Sequence, residues 1–170
     1  ENPFSASLFV LTRDSEGFLS PATDTMKRNI KTFLNRFRLV SDSIDVLDSP
    51  VVNIKIEYEV VIDPMYNKNA VLKTINSKIS NFMKIESFQI GTPIVKSDIS
   101  QIILSVSGVT SVSNIDVLNI TGTISENVYS NFSYPIGLNT INGIVYPPEG
   151  GIFELKYPNF DIVGKGYWGL

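Results

Sequence analysis

The stretch Pro93–Val117, PIVKSDISQIILSVSGVTSVSNIDV, reads as a capped amphipathic helix, a glycine stop and a strand. Ser97 is placed to cap the helix with its hydroxyl. Ile99, Ile102, Ile103 and Val106 then recur on one helical face. Gly108 falls where the chain must leave the helix, which predicts a left-handed conformation there. Val109, Val112 and Val117 suit a strand running to about Ile120. Such a unit must bury its apolar stripe against a sheet, so the rest of the sequence is read for strands that could supply one.

The clearest lies upstream. Val52, Ile54, Ile56, Tyr58, Val60 and Ile62 alternate with Asn53, Lys55, Glu57 and Glu59, which predicts a strand with one buried and one wet face. Asp63-Pro64 ends it. Asn67 or Asn69 caps a second helix, whose apolar face is Val71, Leu72, Ile75, Ile79, Phe82 and Met83. Ser87–Gly91 is expected to be a short strand. Further back, Ala6–Thr12 reads as a strand and Arg13–Gly17 as a turn. A first helix is expected to be capped by Ser20 with Pro21 at its first position. Its apolar face is Met26, Ile30, Phe33, Leu34 and Phe37, and Asp24, Arg36 and Arg38 complement its dipole. Leu39–Pro50 is a polar connection holding a short strand around Ile44–Leu47.

This pattern predicts an α+β fold: a small mixed or antiparallel sheet with helices packed on one face, in a split βαβ-like arrangement. Residues 1–120 are expected to form the core domain. From Thr121 helical periodicity stops and glycine and proline crowd in, so residues 121–170 are expected to be a β-rich, irregular segment. Its aromatics Tyr146, Phe153, Tyr157, Phe160, Tyr167 and Trp168 are more than a disordered tail would carry. They are the candidate subunit contacts.

Bulk properties narrow the function. The 170 residues are 43% hydrophobic with a formal net charge of −3, enough for a substantial core and without a global attraction to nucleic acid or anionic membranes. There is no cysteine and no histidine, hence no disulfide framework, no thiolate chemistry and no imidazole base or ligand. No apolar run approaches the roughly 20 residues of a membrane helix. The sequence starts Glu1-Asn2-Pro3 without a methionine, as a fragment or a processed product would.

Glu57 and Glu59, two apart on a strand, share a face at roughly 7 Å, a separation that overlaps an inverting glycosidase pair. The plainer reading is a solvated strand face shared with Lys55. Asp42, Asp45 and Asp48 lack the glycine and distal glutamate of a calcium loop. Lys27, Arg28, Lys31, Arg36 and Arg38 make one helix basic, either as the wet face of an amphipathic helix or as a surface for an acidic protein. Asn119-Ile-Thr121 and Asn131-Phe-Ser133 match the N-glycosylation sequon, and GKGYWG (Gly164–Gly169) lacks phosphate-loop spacing. These residues give an enzyme reading nothing to rest on. No metal, cofactor or small-molecule substrate is expected.

Four stretches together resemble one family: LSPATDTMKRNIKTFLNRFR (Leu19–Arg38), VVNIKIEYEVVIDPMYNKNAVL (Val51–Leu72), PIVKSDISQIILSVSGVTSV (Pro93–Val112) and GIVYPPEGGIFELKYPNFDIVGK (Gly143–Lys165). The sequence resembles the C-terminal part of the T-even-type baseplate wedge proteins, within the baseplate J-like family of contractile injection systems. The middle two stretches carry the broad family likeness, and the outer two point to the T-even branch. The family's long N-terminal portion has no counterpart here. The resemblance implies a structural, non-enzymatic protein of the virion tail baseplate, assembled in the host cytoplasm. It implies homodimers within a wedge, contacts to other baseplate wedge proteins, and a place in the inner baseplate ring. It supplies no site residues. The rival expectation is an extracellular carbohydrate-binding or adhesin-type module whose tail aromatics stack on sugars.

Overall fold

The chain opens with strand β1 (Ser5–Val10), a short antiparallel hairpin of β2 (Thr12–Arg13) and β3 (Leu19–Ser20), helix α1 (Asp24–Leu34) and strand β4 (Ser43–Asp48). The structure is a computed structural model that describes residues 5–37, 43–84 and 88–169. Its contacts group Glu1–Val51 into one unit and Val52–Leu170 into another. Arg38, Asp42 and Ser87, which entered the sequence argument, lie outside the described residues.

In the first unit β1 and β4 pair in parallel, Leu8 opposite Val46. The helix between them starts later than expected. Thr23 rather than Ser20 is its cap, accepting from the Met26 N–H at 3.3 Å, because Ser20 is taken up by the hairpin. Lys27 bonds Asp48 at 2.8 Å and Lys31 reaches Asp45 at 3.4 Å, so the basic side of α1 turns toward the acids of β4. Among the described residues of this unit only Ala22 and Ser49 are buried. Met26, Phe33 and Phe37 of the expected apolar face are exposed, with the rings of Phe33 and Phe37 5.2 Å apart.

The second unit is built on β5 (Val51–Ile62). After it come α2 (Lys68–Phe82), β6 (Ile94–Val95), α3 (Lys96–Leu104) and β7 (Val109–Asn119). The hairpin β8 (Thr123–Ile124) and β9 (Asn127–Val128) follows, then a 3-10 turn at Ile136–Asn139. The last elements are β10 (Thr140–Ile141), β11 (Ile144–Val145), β12 (Ile152–Glu154), α4 (Pro158–Asp161) and β13 (Ile162–Trp168). β5 is central: β7 runs antiparallel to it, β13 parallel, and β12 also joins it. The sheet is therefore mixed, and the fold is α+β.

The alternation of β5 does what it predicts on one side. The six alternating residues Val52, Ile54, Ile56, Tyr58, Val60 and Ile62 are at most 1% exposed. Val71, Ile75 and Ile79 of α2 and Ile99 and Ile103 of α3 complete that core. Each such residue gains about 1.5–3 kcal/mol on burial. Asn67 caps α2, accepting from the Ala70 N–H at 3.1 Å. Ser97 does not cap α3: the helix begins two residues earlier than that cap would place it, at Lys96, and its N-cap Val95 lies in β6, held by pairing with β11. Gly108 has φ +94°, and a Cβ there would lie 2.6 Å from Cγ of Tyr66. The described part of Ser87–Gly91 is a turn with Phe88 buried, not a strand.

Within the first unit α1 packs against β4, and within the second unit α2 and α3 pack their apolar faces into the core of the central sheet. Residues 121–170, expected to serve packing or subunit contacts, pack within the second unit. The contact boundary falls at Val51/Val52, because β13 enters the central sheet and Val145, Phe153, Leu155 and Ile162 join its core.

Candidate interaction surface

The six candidate aromatics separate by environment. Phe153 is 2% exposed and packs in the core, its ring 6.5 Å from that of Tyr134, so it presents nothing to a partner. Strand alternation explains this: β12 is covered on both sides and all three of its residues are buried. Tyr157 is half-buried, its ring set edge-on to Tyr129 at 5.4 Å, with the Lys156 ammonium 5.7 Å from its centroid. Tyr146, Phe160, Tyr167 and Trp168 are exposed.

Tyr167 and Trp168 are neighbours on β13 and point to opposite faces of the sheet. Trp168 lies on the helix side, opposite Ile62, with the Lys68 ammonium 5.7 Å from its ring centroid. Gly166 makes room for the Lys68 stem, since a Cβ there would meet it at 3.1 Å. Tyr167, opposite Val61, lies on the other face. That face carries Glu57 and Glu59 in an open cleft of about 260 Å³, with Asn114, Asp116, Val163 and Lys165.

Each carboxylate in the cleft has a lysine. Lys55 pairs with Glu57, Lys165 lies 3.6 Å from Glu59, and Lys96 lies 3.6 Å from Asp116. Such exposed pairs stabilise little, about 0–1 kcal/mol each, and leave the face close to neutral. Among the described residues no three acidic, histidine or cysteine side chains converge as metal ligands. The two other prominent cavities hold none of the six aromatics. One, of about 400 Å³, runs between α2 and α4 beside Leu72, Asn76 and Asn159; the other, of about 340 Å³, lies between Tyr66, Lys78 and Ser105.

What the sequence reading missed is beneath the surface. Asn53, placed on the wet face, is 1% exposed. Its Nδ2 donates to Glu154 Oε2 at 2.8 Å, and its Oδ1 accepts from the Ser130 N–H at 2.6 Å. Asn119, the first sequon asparagine, is occupied too, donating to the Asn53 carbonyl and accepting from the Tyr134 N–H. Asn131 of the second sequon is exposed. Nearby, Asp161 is 1% exposed and accepts from the Tyr129 hydroxyl at 2.6 Å and the Tyr157 N–H at 2.7 Å. Burial pushes the Asp161 carboxyl above the usual carboxylate range, opposed by those two donors and by the charge of Lys55. Burial likewise raises the Tyr58 and Tyr129 phenols, the latter further through Asp161. The one signal in the sequence was a glutamate inside the apolar run Ile152–Leu155.

No known protein-family model matches the chain, and no curated protein matches it.

Proposed function

We propose that this protein is a structural assembly module of a contractile phage tail, the C-terminal part of a T-even-type baseplate wedge protein, gene product six. The supporting observation is where the family-like stretches lie. Three of them, Val51–Leu72, Pro93–Val112 and Gly143–Lys165, meet in one core: β5 pairs with β7 and with β13, and α2 and α3 cover it. Those three stretches thus belong to one folding unit, while Leu19–Arg38 lies in the first unit. In this reading the protein is not an enzyme. It works by presenting a rigid platform to a second copy and to other wedge proteins of the virion baseplate. Tyr146, Phe160, Tyr167 and Trp168 are its exposed aromatic contacts, of the residue types that anchor protein interfaces.

Light scattering over a range of protein concentrations tests this. Self-association that weakens in the Tyr167→Ala and Trp168→Ala variants is expected. A strict monomer at high concentration removes these surfaces as dimer contacts.

One observation favours a second reading. Trp168, half-exposed beside Lys68, has the form of a sugar-stacking platform. Saturable glycan binding that is lost in Trp168→Ala would replace the assembly reading with a carbohydrate-binding one.

A further inference from the structure

The two-residue turn joining β10 and β11 is Asn142-Gly143. Both residues have positive φ, +51° and +79°, as a type I′ hairpin turn requires. Asparagine followed by glycine is also the dipeptide in which a backbone nitrogen most easily attacks a side-chain amide, because glycine leaves the approach unshielded. We propose that Asn142 is a site of covalent self-modification, converting through a succinimide to aspartate and isoaspartate.

The surroundings favour the reaction. Asn142 is exposed, so water reaches both its amide and the ring that would form. The space where a Gly143 Cβ would sit is open to 4 Å. Among the described residues the Gly143 N–H donates no hydrogen bond, while its carbonyl accepts from the Lys96 N–H at 2.9 Å. Gly143 N loses its proton to water and bonds to Cγ of Asn142. The bond between Cγ and Nδ2 of Asn142 breaks, and ammonia leaves with the returned proton. One water then opens the five-membered imide at either carbonyl, giving an α-linked aspartate or a β-linked isoaspartate. No oxidant or cofactor is consumed.

The position gives the change a structural effect. The turn sets the pairing of Ile141 with Ile144, and β11 in turn pairs with β6, whose Val95 leads into α3. The isoaspartyl product lengthens the backbone by one methylene carbon. A two-residue turn cannot absorb that and keep its register. The latch between Gly143 and Lys96 at the head of α3 is then lost.

The test incubates the intact folded protein in warm, mildly alkaline buffer and follows it by peptide mapping and by enzymatic isoaspartate methylation. The expected result is an amide-to-acid mass change confined to the peptide holding Asn142, with isoaspartate as a product. It should disappear in Asn142→Gln, which would have to close a six-membered ring, and fall strongly in Gly143→Ala. Circular dichroism of both variants checks that they fold. Conversion only in urea-unfolded protein, with none in the folded state, overturns the proposal by showing that the hairpin holds the two groups apart.

Discussion

The Tyr129 hydroxyl donates to the Asp161 carboxylate at 2.6 Å, joining positions 32 residues apart inside the second unit. Tyr129 closes the β8–β9 hairpin, its N–H bonded to the Gly122 carbonyl at 2.8 Å. Asp161 is the last residue of α4 and immediately precedes β13, the parallel partner of β5. One buried phenol–carboxylate contact therefore fastens an exposed hairpin to the strand that closes the core. The Tyr157 N–H fills the other carboxylate oxygen, so neither oxygen is left bare.

Removing that phenol should be costly. Tyr129→Phe keeps the edge-on packing against Tyr157 but takes a donor from a buried carboxylate. Hydrogen bonds to charged groups contribute about 1.5–3 kcal/mol. A loss of that size in urea unfolding, with an unchanged slope, is expected. A variant as stable as the parent would show that the carboxylate has other support.

The same carboxylate makes a signed prediction about pH. Desolvation holds Asp161 above its unfolded value, near about 3.9. The folded state therefore binds a proton here at pH values where the unfolded state has released it. Its contribution to stability is greatest below the unfolded value and declines as pH rises through the folded one. Asp161→Asn cannot titrate. As pH rises from the unfolded value through the raised folded one, the parent should lose stability relative to this variant. Denaturation at a series of pH values measures the difference, and a gap that is flat or widens in the parent's favour refutes the assignment.

Gly108→Ala should combine two penalties. The φ of +94° disfavours any residue with a Cβ, at about 1–2 kcal/mol. Overpacking against the Tyr66 ring adds about 1–3 kcal/mol. Tyr66→Ala in the same protein should relieve the second penalty and not the first. A double-mutant cycle by chemical denaturation separates them, with a favourable coupling expected.

Local signals were legible where local physics decides. The buried face of β5, the apolar stripe of α2 and the glycine after α3 each follow from near-neighbour spacing and stand as read, whereas Asn53 departs from the wet face of β5. The misplaced features depend on distant parts of the sequence. Ser20 looked like a helix cap until hairpin pairing with Thr12 claimed it. Phe153 looked like a surface aromatic because nothing nearby shows that its strand lies against β5. Periodicity reports which way a residue points and not what later covers that side. The aromatic surface was legible only in part for the same reason: Tyr167 and Trp168 were named as candidate contacts, but their separation onto opposite faces follows from pairing with Val61 and Ile62.

Asn53 is where the two kinds of information conflict, and it gives the sharpest test. Its alternation phase placed it in water with Lys55, Glu57 and Glu59, yet it is among the most buried residues. Its amide satisfies Glu154 of β12 and the Ser130 N–H, while its backbone carbonyl takes the Ile120 N–H and the Asn119 amide. Asn53→Ala removes the two bonds of that amide and leaves a cavity. A lost bond to a charged group at about 1.5–3 kcal/mol, with a stranded backbone donor at about 1–3 kcal/mol, gives an expected loss of about 2.5–6 kcal/mol. Lys55→Ala, one of the neighbours that alternation placed on the same wet side, should change stability by no more than about 1 kcal/mol, as a partly exposed pair with Glu57. Hydrogen exchange should show the loss in Asn53→Ala concentrated at Ser130, Tyr134 and β12, the segments this amide network holds against β5. If both variants lose stability alike, with protection falling evenly across the sheet, Asn53 is not the anchor of the tail.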